Sequence, residues 1–110
     1  MEALMKGDVV VLPFPFSDLS ASKKRPAFII TPLEGDDVIL CQITSSAKYD
    51  KYSLTIELSD FKKGSIKLKS MVRPNRLFTA DKSIILYKAG SLKDKKIREI
   101  EDSIVKIIKQ

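Results

Sequence analysis

The stretch Gly7-Asp8-Val9-Val10-Val11-Leu12-Pro13-Phe14-Pro15-Phe16-Ser17-Asp18-Leu19-Ser20-Ala21-Ser22-Lys23-Lys24-Arg25-Pro26-Ala27-Phe28-Ile29-Ile30-Thr31-Pro32 decides how this chain is read. It contains two apolar runs, Val9–Leu12 and Phe28–Ile30, that are too short and too β-branched for helices and therefore read as strands. The polar, basic connection between them delivers Arg25-Pro26 at the start of the second strand. Proline has no N–H to donate, which a strand tolerates at its first residues or at an edge. It also biases the preceding residue toward extended backbone. Arg25 is thus expected at a strand mouth, on stiff backbone, beside a loop. A guanidinium held there is well placed to meet a phosphate.

Working outward, the first strand is expected over about Asp8–Phe14, ending where Pro13 and Pro15 interrupt the ladder. Phe14 and Phe16 read as core or rim aromatics, with a base-stacking platform as the other reading. The second strand covers about Pro26–Thr31, and 32–37 reads as an acidic turn at the end away from the basic loop. Val38–Ser45 is a third, buried strand leading into Thr44-Ser45-Ser46. Beyond a polar loop, Ser53–Leu58 alternates like a half-exposed strand. Ser59–Gly64 reads as one helical turn closed by glycine. Ser65–Leu68, Ser70–Arg73, Leu77–Ala80 and Ser83–Tyr87 read as further extended segments. Ser91 is a candidate N-cap for an amphipathic helix to about Ile108, with Ile97, Ile100, Ile104 and Ile107/Ile108 on one face. The fold class is mainly β, a bent antiparallel sheet or small barrel with a C-terminal helix, in a single domain spanning 1–110.

Composition narrows the function. The chain has 110 residues, a net charge of +6, one cysteine and no histidine. Without histidine there is no Ser-His-Asp or Cys-His chemistry, and the usual Cys/His zinc sites lack ligands, so no metal or cofactor is expected. Cys41, inside an apolar run, reads as a buried thiol in a reducing cytoplasm. No apolar run approaches the roughly 18 residues of a membrane span, and no secretory leader is evident.

The positive charge points to a polyanion. It concentrates in two stretches without acidic residues, one holding Lys23, Lys24 and Arg25, the other running from Lys62 to Arg76. These either line one groove or lie on opposite sides as ordinary basic loops. Arg25 is read as a phosphate clamp. Thr44 either closes a strand or bonds the phosphate with Ser45 or Ser46. Arg73 either contacts the polyanion or pairs with Glu57 or Asp81. Asp18 is either a proton acceptor or an Asx turn. Tyr49 and Tyr52 either stack on bases or pack across the sheet.

The motifs Gly7-Asp8-Val9-Val10-Val11, Pro13-Phe14-Pro15-Phe16, Lys24-Arg25-Pro26-Ala27, Gln42-Ile43-Thr44-Ser45 and Ser70-Met71-Val72-Arg73, in this order, resemble the PemK/MazF family of toxins from type II toxin–antitoxin modules. The resemblance implies a small SH3-like (CcdB/PemK-type) β-barrel and a homodimer. It also implies metal-independent, sequence-selective cleavage of single-stranded RNA, and a cognate antitoxin that covers the site. Matched by motif, Arg25 and Thr44 take catalytic roles; Lys23, Lys24, Ser45, Ser46, Arg73, Asn75, Arg76 and Asp18 join them as substrate-binding candidates. Arg73 matches an arginine that some members use together with an aspartate two residues later. Here that position is Asn75, a neutral amide that cannot act as a base, and Arg76 supplies charge but no proton acceptor. Two other functions stand beside this one: a gyrase-directed toxin of the same fold, and a barrel that binds nucleic acid without cutting it.

Overall fold

The computed structural model describes residues 3–14, 23–45 and 51–110. Strands β1 (Asp8–Phe14), β2 (Lys23–Pro32), β3 (Asp37–Thr44), β4 (Leu54–Ile56), β5 (Phe61–Gly64), β6 (Ser70–Asp81) and β7 (Tyr87–Leu92) precede a helix, α1 (Asp94–Lys109). The strands form one sheet in the order β4-β6-β3-β2-β1-β7-β5. All neighbours run antiparallel, and the sheet curls into a half-barrel. The expected class, mainly β with a C-terminal helix, is the one observed.

The central strands bury both faces, which explains why they read as continuous apolar runs. Val9 and Val10 are successive residues, so they point to opposite faces, and both are fully buried. Val9, Phe28, Cys41, Ile43 and Val72 join Ile97, Ile100 and Ile104 of α1 in one core. Val10, Leu12, Phe14, Ala27, Ile29, Val38 and Leu40 form a second core on the other face. Phe14 meets Phe78 edge-on with ring centroids 5.2 Å apart, so it serves the core.

The Gly-Asp pair that opens β1 is a junction. Gly7 N–H donates to Ile29 O at 2.9 Å and Gly7 O accepts from Leu92 N–H at 3.0 Å. Its φ of +92° favours glycine, and a Cβ there would run into the Ile97 side chain of α1. Asp8, 3% exposed, accepts from Met5 N–H at 2.8 Å and Ser91 Oγ at 2.7 Å and pairs with Lys88 Nζ at 3.1 Å.

Several expectations are corrected. Lys23 and Lys24 are strand residues rather than loop residues, paired with Phe14 and Pro13. Pro13 remains in β1 because β7 pairs with that strand only as far as Val11, leaving Pro13 on an open edge. The segment 61–64 is a strand against β7 and not a helical turn; only Leu58–Asp60 is helical, as a 3₁₀ turn. Gly64 and Gly90 allow β5 and β7 to approach closely, since a Cβ on either would collide with backbone of the other strand. Residues 65–68 form an irregular connection. The two extended segments around Pro74 are one strand, β6, whose register against β3 shifts between Gln42↔Arg73 and Cys41↔Leu77. The strand expected over Ser83–Tyr87 begins only at Tyr87, after a 3₁₀ turn at Lys82–Ile84. Ser91 is a strand residue bonded to Asp8; the N-cap of α1 is Lys93, without a side-chain cap bond.

Candidate functional site

The site is built by register. Ala27 lies opposite Gln42 in the last pair between β2 and β3, and Arg25 and Thr44 each lie two residues beyond it along their strands. Thr44 in turn lies opposite Met71 of β6, and Gln42 opposite Arg73. Residues directly opposite in an antiparallel pair share a face, and every second residue along a strand does too. Arg25, Thr44 and Arg73 therefore all project from one face of three adjacent strands, the face of Ala27, Leu40 and the second core.

Arg25 and Thr44 therefore lie on the same face at the same end of two adjacent strands. Arg73 lies two strands and two residues away, about 12 Å at Cα on a flat sheet, a span two long guanidinium arms can close around one phosphate. Leu12, opposite Arg25 on β1, and Met71 give the row apolar flanks. Arg25 is half-buried, whereas Thr44 is 8% exposed and lies in the floor. The acidic turn holding Glu34, Asp36 and Asp37 sits at the opposite end of β2 and β3, as expected from the sequence.

The remaining candidates divide between two faces. Lys23 shares the face of Arg25, while Lys24, one residue away, projects from the other. Lys24 and Ser45 line a cavity of about 640 Å³ together with Lys67. The two acid-free basic stretches thus do meet, but on the far side of the sheet from Arg25. Asn75 and Arg76 are exposed in the irregular middle of β6. Asp18, Ser46, Tyr49 and Phe16 lie outside the described residues. Tyr52 is placed at the end of α1, where its hydroxyl accepts from Gln110 Nε2 at 3.3 Å and Lys51 sits 5.2 Å above its ring. Glu57 pairs with Lys69 at 3.3 Å, and the Asp81 carboxylate accepts from Ser83 N–H. Cys41 is buried, and desolvation pushes its thiol up to about 12, so no thiolate forms near neutral pH.

Gln42 and Met71, which complete the row around Arg25, were quoted in motifs but not assigned a role by sequence reasoning. The signal for both was parity: each sits an even number of residues from a site residue on its own strand. Tyr87 and the 65–68 connection, which wall the opposite cavity, had no sequence signal beyond composition.

A model of the PemK-like, MazF-like toxin family of type II toxin–antitoxin systems matches residues 5–108. No curated protein sequence matches. Among solved structures, the chain is similar to a MazE–MazF complex from Deinococcus radiodurans, with a TM-score of 0.77 and 16% identity over 99% of each chain. It is also similar to a mycobacterial endoribonuclease in complex with its cognate antitoxin, with a TM-score of 0.76 and 14% identity over 96% of this chain and 95% of that one. A second mycobacterial endoribonuclease gives a TM-score of 0.72 and 17% identity over 98% and 93% of the two chains. At such identities these are likenesses of fold.

Proposed function

The chain belongs to the PemK-like, MazF-like toxin family of type II toxin–antitoxin systems, and on that premise we propose that it is an endoribonuclease toxin that cuts single-stranded RNA. The observation that carries this reading is that Arg25 and Thr44 lie on one face at the same end of adjacent strands, each two residues past the Ala27–Gln42 pair. The endoribonuclease names of two fold neighbours support it as well.

The chemistry needs no outside nucleophile. The 2′-oxygen of the ribose attacks the adjacent phosphorus, the P–O5′ bond breaks, and a 2′,3′-cyclic phosphate and a 5′-hydroxyl result. One proton leaves the 2′-hydroxyl and one reaches the departing 5′-oxygen. Arg25 binds two non-bridging oxygens and offsets the charge that grows on them in the transition state. Thr44 orients the phosphate or the 2′-hydroxyl from below, and Arg73 and Lys23 hold the neighbouring backbone. Fixing three atoms in line supplies a further share of the rate. Asp18 is the candidate acceptor of the 2′ proton, since Asn75 cannot take it. The reaction runs without metal, the active form is a homodimer, and a cognate antitoxin neutralises it by covering this face.

The test is incubation of purified protein with a long single-stranded RNA in EDTA. Discrete fragments ending in cyclic phosphate are expected, and Arg25→Ala lowers their rate at least about 10²-fold. Thr44→Val lowers it less while keeping the buried volume. Binding without cuts would leave a non-catalytic nucleic-acid-binding barrel, and gyrase poisoning with intact RNA would replace the proposal with the gyrase-directed one.

A further inference from the structure

We propose that the cavity on the face opposite Arg25 receives a base of the bound RNA a few nucleotides from the cut and so contributes to sequence selectivity, an inference that rests on the endoribonuclease reading above. The cavity encloses about 640 Å³ where the irregular 65–68 connection faces β1, β2 and β7. Val11, Pro26, Ile66 and Leu68 give it apolar walls. Tyr87, 54% exposed, adds an aromatic ring, and Ser45, Ser65 and Ser70 add hydroxyls. Lys24, Lys67 and Lys88 contribute cations, Lys88 paired with Asp8 at 3.1 Å, and no carboxylate is among the described residues lining it.

That mixture matches a nucleotide part by part. A base has flat apolar faces for the aromatic and aliphatic walls, a polar edge for the hydroxyls, and a phosphate for the lysines. Location joins the cavity to the cutting site. Lys24 precedes Arg25 and Ser45 follows Thr44, so residues of the cavity and of the proposed cutting site alternate between the two faces at the same end of β2 and β3. The sheet lies between them, so the base in the cavity belongs to a nucleotide more than one step from the scissile phosphate. The cavity residues are then selectivity residues, not catalytic ones.

The experiment compares cut sites in a randomised single-stranded RNA library for the wild-type protein, Arg25→Ala, Tyr87→Ala and Lys67→Gln. Tyr87 and Lys67 are exposed, and thermal melts check that each variant is folded. The expected result is an approximately tenfold weaker preference at one position a few nucleotides from the cut in Tyr87→Ala and Lys67→Gln, with cutting lost only in Arg25→Ala. Unchanged preference in both cavity variants, with cutting intact, overturns this inference and leaves the endoribonuclease reading standing. If the wild-type protein cuts nothing, that reading fails, and the cavity is judged by affinity for 2′-O-methyl RNA. A tenfold loss in Tyr87→Ala then retains the base site, and no loss overturns it. Lys67-dependent capture of a polyglutamate peptide with RNA affinity unchanged also overturns it.

Discussion

At the scale of single residues, the division of labour follows from which way each side chain leaves its strand. Lys23, Lys24 and Arg25 are adjacent cations in sequence, yet β2 sends the first and third to one face and the second to the other. Sequence alone singled out Arg25 and Thr44 as candidates but not that they share a face at one end of adjacent strands, because register depends on how β2 and β3 pair and not on either strand by itself. Asp8 is the reverse case, a carboxylate that sequence did not mark for a structural role. It holds the start of β1 to β7 through Ser91 and to Lys88, whose side chain is only 20% exposed. Asp8→Asn removes the charge that matches Lys88 and offers a donor where two donors already point. A loss of about 2 kcal/mol is expected, read as a lower urea midpoint with an unchanged slope. Cleavage by the surviving folded fraction should be unaltered, since Asp8 lies outside the proposed site.

At the scale of elements, what the sequence made legible was set by how far local pattern agreed with tertiary pairing. The first three strands were readable because buried β-branched runs have few other fates. The segment 61–64 was not, because lysines and a glycine mask a strand whose one buried residue, Phe61, is fixed by β7. The start of α1 was missed for a related reason: Ser91 has N-cap chemistry, but its hydroxyl is bonded to Asp8. Pro74, buried inside β6, was the one local sign of the register shift there. The helix itself was legible from its isoleucine spacing, and that spacing carries a consequence for stability. Ile100 is fully buried against the sheet, while Ile108 is 68% exposed. Ile100→Ala is expected to cost about 2–5 kcal/mol in chemical denaturation, and Ile108→Ala less than about 0.5 kcal/mol.

At the scale of the whole molecule, charge and architecture are polarised along the strands. The acidic turn caps one end of β2 and β3, and the arginine–threonine row and the lysine-bearing cavity occupy the other. A polyanion approaching from any direction is drawn to the second end. The two edge strands, β4 and β5, have three and four residues, which gives another chain little to pair with. The order of elements along the chain has a temporal meaning as well. All seven strands leave the ribosome before α1, so the nascent sheet lacks the isoleucines that close one of its cores until the helix has emerged. Nascent chains stalled before residue 94 should be cut readily by protease, and the chain released with α1 complete should resist. The proposed ribonuclease is thereby expected to stay unfolded until its helix has emerged.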